Sequence, residues 1–204
     1  MAKLKIFTFP DLVLAQKAKP IVRVEKSLYQ LADDLLETMY DAPGIGLAAN
    51  QVGILDRILV IDTDYEVDEN EEGSAKGSEV AGGTITHRNP KIIINPEILS
   101  KEGEIILCEG CLSVPDYTAE VKRAEKIKLK YKDMDGVEKT MTAEGLQAVA
   151  IQHEIDHLDG KLFIDRLSPL KKEMVRKRLR KERLENEPKV LAGLSPQDKR
   201  KKGF

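Results

Sequence analysis

Two histidines four residues apart, with a glutamate directly after the first, sit inside an apolar-periodic run at Gln152-His153-Glu154-Ile155-Asp156-His157. On an α-helix this spacing puts both imidazoles on one face, one turn apart, where they can converge on one cation. Glu154 then stands beside the cation, which suits a general base acting on a metal-bound water better than a third ligand. Leu146, Val149, Ala150, His153 and His157 share a stripe, Thr142 offers a hydroxyl cap, and Gly160 supplies a stop. Taken alone, the same residues also fit two helical histidines satisfied in a core.

A chain of 204 residues suits one domain with a sizeable core. A formal charge of −2 gives no global field for nucleic acid or an anionic membrane. The start, Met1-Ala2-Lys3-Leu4-Lys5-Ile6-Phe7, lacks the apolar core of a secretory signal and the Arg- and Ser-rich character of a transit peptide. No apolar run reaches the roughly 20 residues needed to span a bilayer. Cys108 and Cys111 are too few for a disulfide framework, and cytosolic thiols are kept for chemistry or metal. The expectation is a soluble, monomeric, cytoplasmic protein with no membrane partner.

Residues 1–24 read as an irregular wrap punctuated by Pro10 and Pro20. Leu28, Leu31, Leu35 and Met39 recur at helical spacing, predicting an amphipathic helix over 27–41 that ends at Pro43-Gly44. The next stretch, Gly44-Ile45-Gly46-Leu47-Ala48-Ala49-Asn50-Gln51, fits G-x-G-x-x-A. It follows a helix and precedes a strand at 57–62, the wrong context for a dinucleotide fingerprint. A loop whose small residues let backbone and Gln51 approach a ligand is the better reading.

Residues 63–88 turn acidic and then Gly-rich with few large apolar side chains, which predicts a flexible insert, and His87 at its edge reads as solvated. Strands follow at 91–95, closing at Pro96, and at 98–107. Ile127, Leu129 and Tyr131 alternate with lysines, and a turn at 133–136 completes a hairpin with 137–142. Short antiparallel strands followed by one buried helix indicate an α+β domain. Leu170, Met174 or Val175, and Leu179 give a thin stripe on a basic helix, where eight basic residues face two acidic ones over 170–183. That composition suits either a solvated terminal helix or one docking on RNA phosphates. Residues 184–204 read as a disordered basic tail.

A catalytic metal site takes three protein ligands and keeps a position for water. Asp159, Asp165 and Glu173 are candidates downstream of His157. Upstream stands Glu109-Gly110-Cys111-Leu112-Ser113-Val114-Pro115, where Cys111 sits before a β-break at Pro115. Cys108, in a strand, reads as a small buried hydrophobe.

Three segments now stand together: Gly44 to Gln51, Glu109 to Ser113, and Gln152-His153-Glu154-Ile155-Asp156-His157-Leu158-Asp159-Gly160. In order and spacing they resemble the signature motifs of the peptide deformylases, over roughly residues 5–180. The resemblance implies an α+β fold with antiparallel sheets packed around a central metal-binding helix, plus N- and C-terminal helices, within one catalytic domain over 1–183. It implies Cys111, His153 and His157 as ligands of one divalent metal, iron(II) in the cell, with zinc, nickel or cobalt able to occupy the same donors. Glu154 would be the general base, and the Gln51 side chain and Leu112 N–H the oxyanion donors. Ile45, Gly46, Leu107, Gly110, Leu146, Val149 and Ala150 would frame a pocket for the methionine of an N-formylmethionyl nascent peptide. Glu109 would pair with Arg123 to brace the Cys111 loop; otherwise the pair is a surface salt bridge worth under about 1 kcal/mol. The basic helix at 170–183 would meet the ribosome. The rival readings are a zinc endopeptidase, which leaves Cys111 and Gln51 unexplained, and a ribosome-binding module with a structural metal.

Overall fold

The computed structural model describes residues 3–64, 66–68, 84–86 and 88–186. Its centre is a five-stranded antiparallel sheet of β1 (Gly46–Ala48), β2 (Ile58–Ile61), β5 (Lys91–Glu102), β8 (Lys126–Lys132) and β9 (Glu138–Glu144), in that spatial order. Helix α1 (Lys26–Asp41) covers one face and helix α2 (Gly145–Leu158) the other.

The alternation of side chains decides which helix each strand residue meets. Ile58 and Val60 of β2 pack with Leu28, Leu35 and Met39 of α1. Leu59 and Ile61 pack with Ala148, Ile151, Ile155 and Leu158 of α2. Covered on both faces, β2 is an unbroken apolar run. Strand β8 keeps the period of two: Ile127 and Leu129 are buried under α2 while Lys128 points out. From Ala148 to Leu158 every residue of α2 is buried, so the helix is central rather than merely amphipathic.

A second unit is the two-stranded ladder of β6 (Ile105–Cys111) and β7 (Val114–Arg123). Its inner face packs on Phe163 and Ile164 and on Val175 and Leu179 of helix α3 (Pro169–Asn186). No helix among the described residues is long and apolar enough to cross a membrane.

Several local expectations are corrected. The strand at 91–95 does not close at Pro96. It runs on to Glu102 through a bulge, where Asn95 takes φ 51° and its carboxamide clasps the Ile21 backbone on both sides. The break falls instead at Gly103, at φ 65°. Pro115 does not break the β-structure either, because the chain reverses at Leu112-Ser113 and Pro115 lies inside β7. Thr142 does not cap α2: it lies in β9, paired with Lys128, and the chain enters the helix at Gly145 with φ 56°. The loop at 44–53 contains strand β1, paired with β2, followed by a 3-10 turn over Ala49–Val52.

The stripe of α3 is Val175 and Leu179, while Leu170 and Met174 face outward. Helix α3 also carries Leu184 and Glu185, so order extends past residue 183; the rest of the expected tail, residues 187–204, lies outside the described residues. Within the expected flexible insert, β3 (Glu66–Asp68) and β4 (Thr84–Thr86) pair antiparallel. Residues 69–83 and His87 lie outside the described residues. The segment before α1 does wrap the body, but it is anchored: Phe7 N–H donates to the Gln51 carbonyl, Phe9 N–H to Ser113 and Ala18 N–H to Leu158.

Candidate active site

Cys111 ends β6 and turns its sulfur toward α2, where His153 and His157 wait one helical turn apart. One donor atom from each of the three lies within 4.8 Å of the other two, the one such group among the described residues. Cys111 Sγ stands 3.1 Å from His157 Nε2. His153 turns Nδ1 to Glu109 Oε2 at 2.8 Å, which leaves Nε2 as its ligand atom. His157 Nδ1 is buried without a partner, so packing and the Cys111 contact at Nε2 hold this ring, whereas a carboxylate aims the other. Phe163 stacks on His153 with ring centroids 6.0 Å apart. The third-ligand alternatives fall away by position: Asp159 pairs with Arg57, and Asp165 with Lys172 and Arg176. Glu173 lies exposed on α3.

The donor set fits one dication. Two imidazoles and a sulfur crowd together without hydrogen bonds enough to satisfy them, which is costly unless a cation joins them. Sulfur meets His157 Nε2 at 3.1 Å and otherwise receives only long contacts, from Ser113 N–H at 3.4 Å and Gln51 Nε2 at 3.8 Å. Burial lowers His157, and the neighbouring His153 lowers it further, well below 6.5. Burial also works against charge on His153, but Cys111 and Glu109 beside it outweigh burial and raise it.

Gln51 is wholly buried, and its carboxamide has a fixed sense. Oε1 accepts from Ala48 N–H at 2.9 Å, and Nε2 is directed to Ser113 Oγ at 3.3 Å and to the sulfur. Leu112 is in the turn that follows Cys111 and lines the same cleft. Glu154 lies against Gly46 of β1, with Oε2 buried and unpartnered. Burial pushes its pKa up to about 7, where a carboxyl group can both take and return a proton near neutral pH.

A cleft of about 600 Å³ opens beside these groups. All seven residues expected around the methionine line it: Ile45, Gly46, Leu107, Gly110, Leu146, Val149 and Ala150. Ile45 and Leu146 are exposed there, offering apolar surface to a ligand.

The Glu109–Arg123 pair is not a surface bridge. The side chains are 5% and 2% exposed, and the guanidinium donates through Nε and Nη2 at 2.7 and 2.9 Å. Burial alone would raise Glu109, but hydrogen bonds from Arg123 and His153 outweigh it and hold the carboxyl below the usual 4.5. Leaving either charge alone in this position costs about 3–5 kcal/mol.

A family model described as Polypeptide deformylase matches residues 3–173. The chain belongs to the peptide deformylase family. It is 47% identical over 181 residues to a peptide deformylase of Alkalilimnicola ehrlichii, covering 89% of this chain and 91% of the relative. It is 48% identical over 189 residues to that of Mesorhizobium japonicum, covering 92% and 97%. The crystal structure of the Legionella pneumophila deformylase superposes with a TM-score of 0.73 at 43% identity, covering 92% of this chain and 99% of that one. The Ehrlichia chaffeensis deformylase, solved in complex with actinonin, gives 0.73 at 37% identity over 89% and 98%. Deformylase membership and the Cys/His/His cluster together support a single metal ion.

Two features of this deformylase site differ from, or add to, what the sequence suggests. Cys108 is exposed, not buried. Along β6 the odd positions 105, 107, 109 and 111 turn inward and the even ones outward, so residues three apart face opposite ways. Ser113, fully buried and bonded to Gln51, gave no pattern at all.

Proposed function

We propose that this chain is a metal-dependent hydrolase that removes the formyl group from N-formylmethionyl nascent polypeptides. Water adds to the formyl carbon, the C–N bond breaks, and formate and a free amino terminus leave. The observation that carries the reading is the convergence of Cys111, His153 and His157 beside buried Glu154, whose Oε2 has no partner. Together with family membership, it favours this reading over an endopeptidase or a closed structural site.

Cys111 Sγ and the Nε2 atoms of His153 and His157 would hold the ion. A divalent ion there supplies Lewis acidity, drawing the pKa of water down toward roughly 7. A thiolate donates more charge than an imidazole, so the ion is a milder acid and Glu154 must do more. Its carboxylate accepts the proton of the attacking water and delivers it to the departing amine. The oxyanion that develops on the formyl oxygen meets the Gln51 amide and the Leu112 N–H, donors fixed before substrate arrives. Losing one donor of this kind raises the barrier by about 3 kcal/mol. Ile45, Gly46, Leu107, Gly110, Leu146, Val149 and Ala150 receive the methionine side chain and adjoining backbone, an aliphatic surface suited to an unbranched thioether.

We take iron(II) as the working ion, with zinc, nickel or cobalt able to replace it at the same donors. We take the active unit to be a monomeric single catalytic domain over 1–183, working in a bacterial cytoplasm. Contact of α3 with ribosomal RNA phosphates is part of the proposal. Five of the eight basic residues of 170–183 are spent on ion pairs within the chain: Lys172, Arg176, Arg178, Lys181 and Arg183. Lys171, Lys177 and Arg180 remain exposed for that contact. The test of the reaction is formate release from formyl-Met-Ala-Ser against acetyl-Met-Ala-Ser. Turnover of the formyl peptide alone supports deformylation; cleavage of an internal peptide bond would replace it with the endopeptidase.

A further inference from the structure

Beyond Glu109, the clamp on His153 continues outward. Arg123 donates from Nη1 to Asp156 Oδ2 at 2.5 Å. Arg166 grips the same carboxylate from the other side, Nε to Oδ2 at 2.9 Å and Nη2 to Oδ1 at 2.5 Å. Charges therefore alternate along Arg166, Asp156, Arg123 and Glu109, and the row ends on His153 Nδ1. Arg123 and Asp156 are sealed, at 2% and 6% side-chain exposure, whereas Arg166 is 41% exposed. There it lines a second, polar cleft of about 380 Å³ on the far side of α2, with Arg57, Lys101 and Lys161.

We propose that Arg166 is a positioning residue for the metal, acting through Asp156, Arg123 and Glu109 on the orientation of His153. The inference rests on the reading of Cys111, His153 and His157 as ligands. With Arg166 present, two buried carboxylates face two guanidiniums. Arg123 then needs only Nη1 for Asp156 and gives Nε and Nη2 to Glu109. Without Arg166, one guanidinium serves two buried anions, and Asp156 draws it away from Glu109. Glu109 then loosens its hold on Nδ1, and the His153 ring gains freedom at the ion. Groups in this outer position change metal affinity by about 10- to 100-fold in metalloproteins.

The experiment uses cobalt(II)-loaded protein and follows release of the ion to a chromophoric chelator, together with kcat, KM and Tm. Arg166→Met removes the charge, Arg166→Lys keeps it without the two-pronged grip, and Arg57→Ala breaks a comparable ion pair with Asp159 on the same cleft. Arg166→Met is expected to release cobalt at least about tenfold faster than the parent, with kcat lowered and KM within twofold, and Arg166→Lys to fall between. Arg57→Ala is expected to leave release unchanged whatever it does to Tm. Equal release from the parent and Arg166→Met overturns the proposal, as does equal acceleration by Arg57→Ala. If Arg166→Met does not fold, Arg166→Lys decides: release at the parent rate overturns it. Failure of the parent itself to hold cobalt would instead sink the ligand reading.

Discussion

Any side chain at position 46 would have to displace Glu154, which occupies the space beside the glycine. A Cβ built there lies 2.6 Å from Glu154 Oε1 and 2.9 Å from its Cγ. Gly46→Ala should therefore displace the carboxylate while leaving the three metal donors untouched. The expected result is formate release reduced by about 100-fold with metal content unchanged, the penalty typical of an ångström's misplacement of a reacting group. Full activity in that variant would mean that Glu154 has room to relax. The pairing of His153 and His157 and the place of Glu154 were legible from helical spacing, and Cys111 only from the resemblance of its segment; the structure brings the three candidate donors together. The Gly46–Glu154 contact was not legible, since it joins residues 108 positions apart. The extension of the Glu109–Arg123 pair to Asp156 and Arg166 was hidden for the same reason: only the meeting of β7, α2 and the turn at Phe163–Arg166 makes them one network.

Among the elements, α3 divides its basic charge between its own domain and the solvent. Three of its eight basic residues reach acids outside the helix, Lys172 and Arg176 at Asp165 and Arg183 at Asp11, while Lys171, Lys177 and Arg180 stay exposed. Asp165 collects Lys172 at 2.8 Å and Arg176 at 2.6 Å. Burial would raise its pKa, but the Lys172 contact, the Leu162 N–H and the Arg176 charge outweigh burial and hold it below the usual 3.8. A carboxylate depressed in the folded state contributes stability above its unfolded pKa and loses it as pH falls through the folded value. Asp165→Asn should thus lower Tm at pH 7, and the gap from the parent should close as the pH drops below about 4. A gap that persists undiminished at pH 3 would show that packing, not charge, seats α3. The strands were read less well at their ends. Alternation exposed β8, but a proline inside β5 looked like a stop because nothing local announces the bulge at Asn95 that accommodates it.

At the scale of the molecule, the central sheet is a platform clamped by two helices, and the site lies where α2 meets the separate β6–β7 ladder. The α+β architecture followed from strands preceding a buried helix. The split into a five-stranded and a two-stranded sheet did not, because strand partners are chosen by tertiary packing. Burial of the sheet–helix layer should dominate stability. Ile151 is fully buried between α2 and the sheet, and Ile151→Ala should cost about 2–5 kcal/mol by denaturant titration. A loss under 1 kcal/mol would mean that the layer collapses around the cavity.

The most direct measurement is formate release from formyl-Met-Ala-Ser by Glu154→Ala protein that still carries one metal ion per chain. If Cys111, His153 and His157 hold the ion and Glu154 handles the proton, metal binding stays intact while kcat falls by about 10²- to 10⁴-fold. Undiminished turnover by the metal-loaded variant would contradict that division of labour.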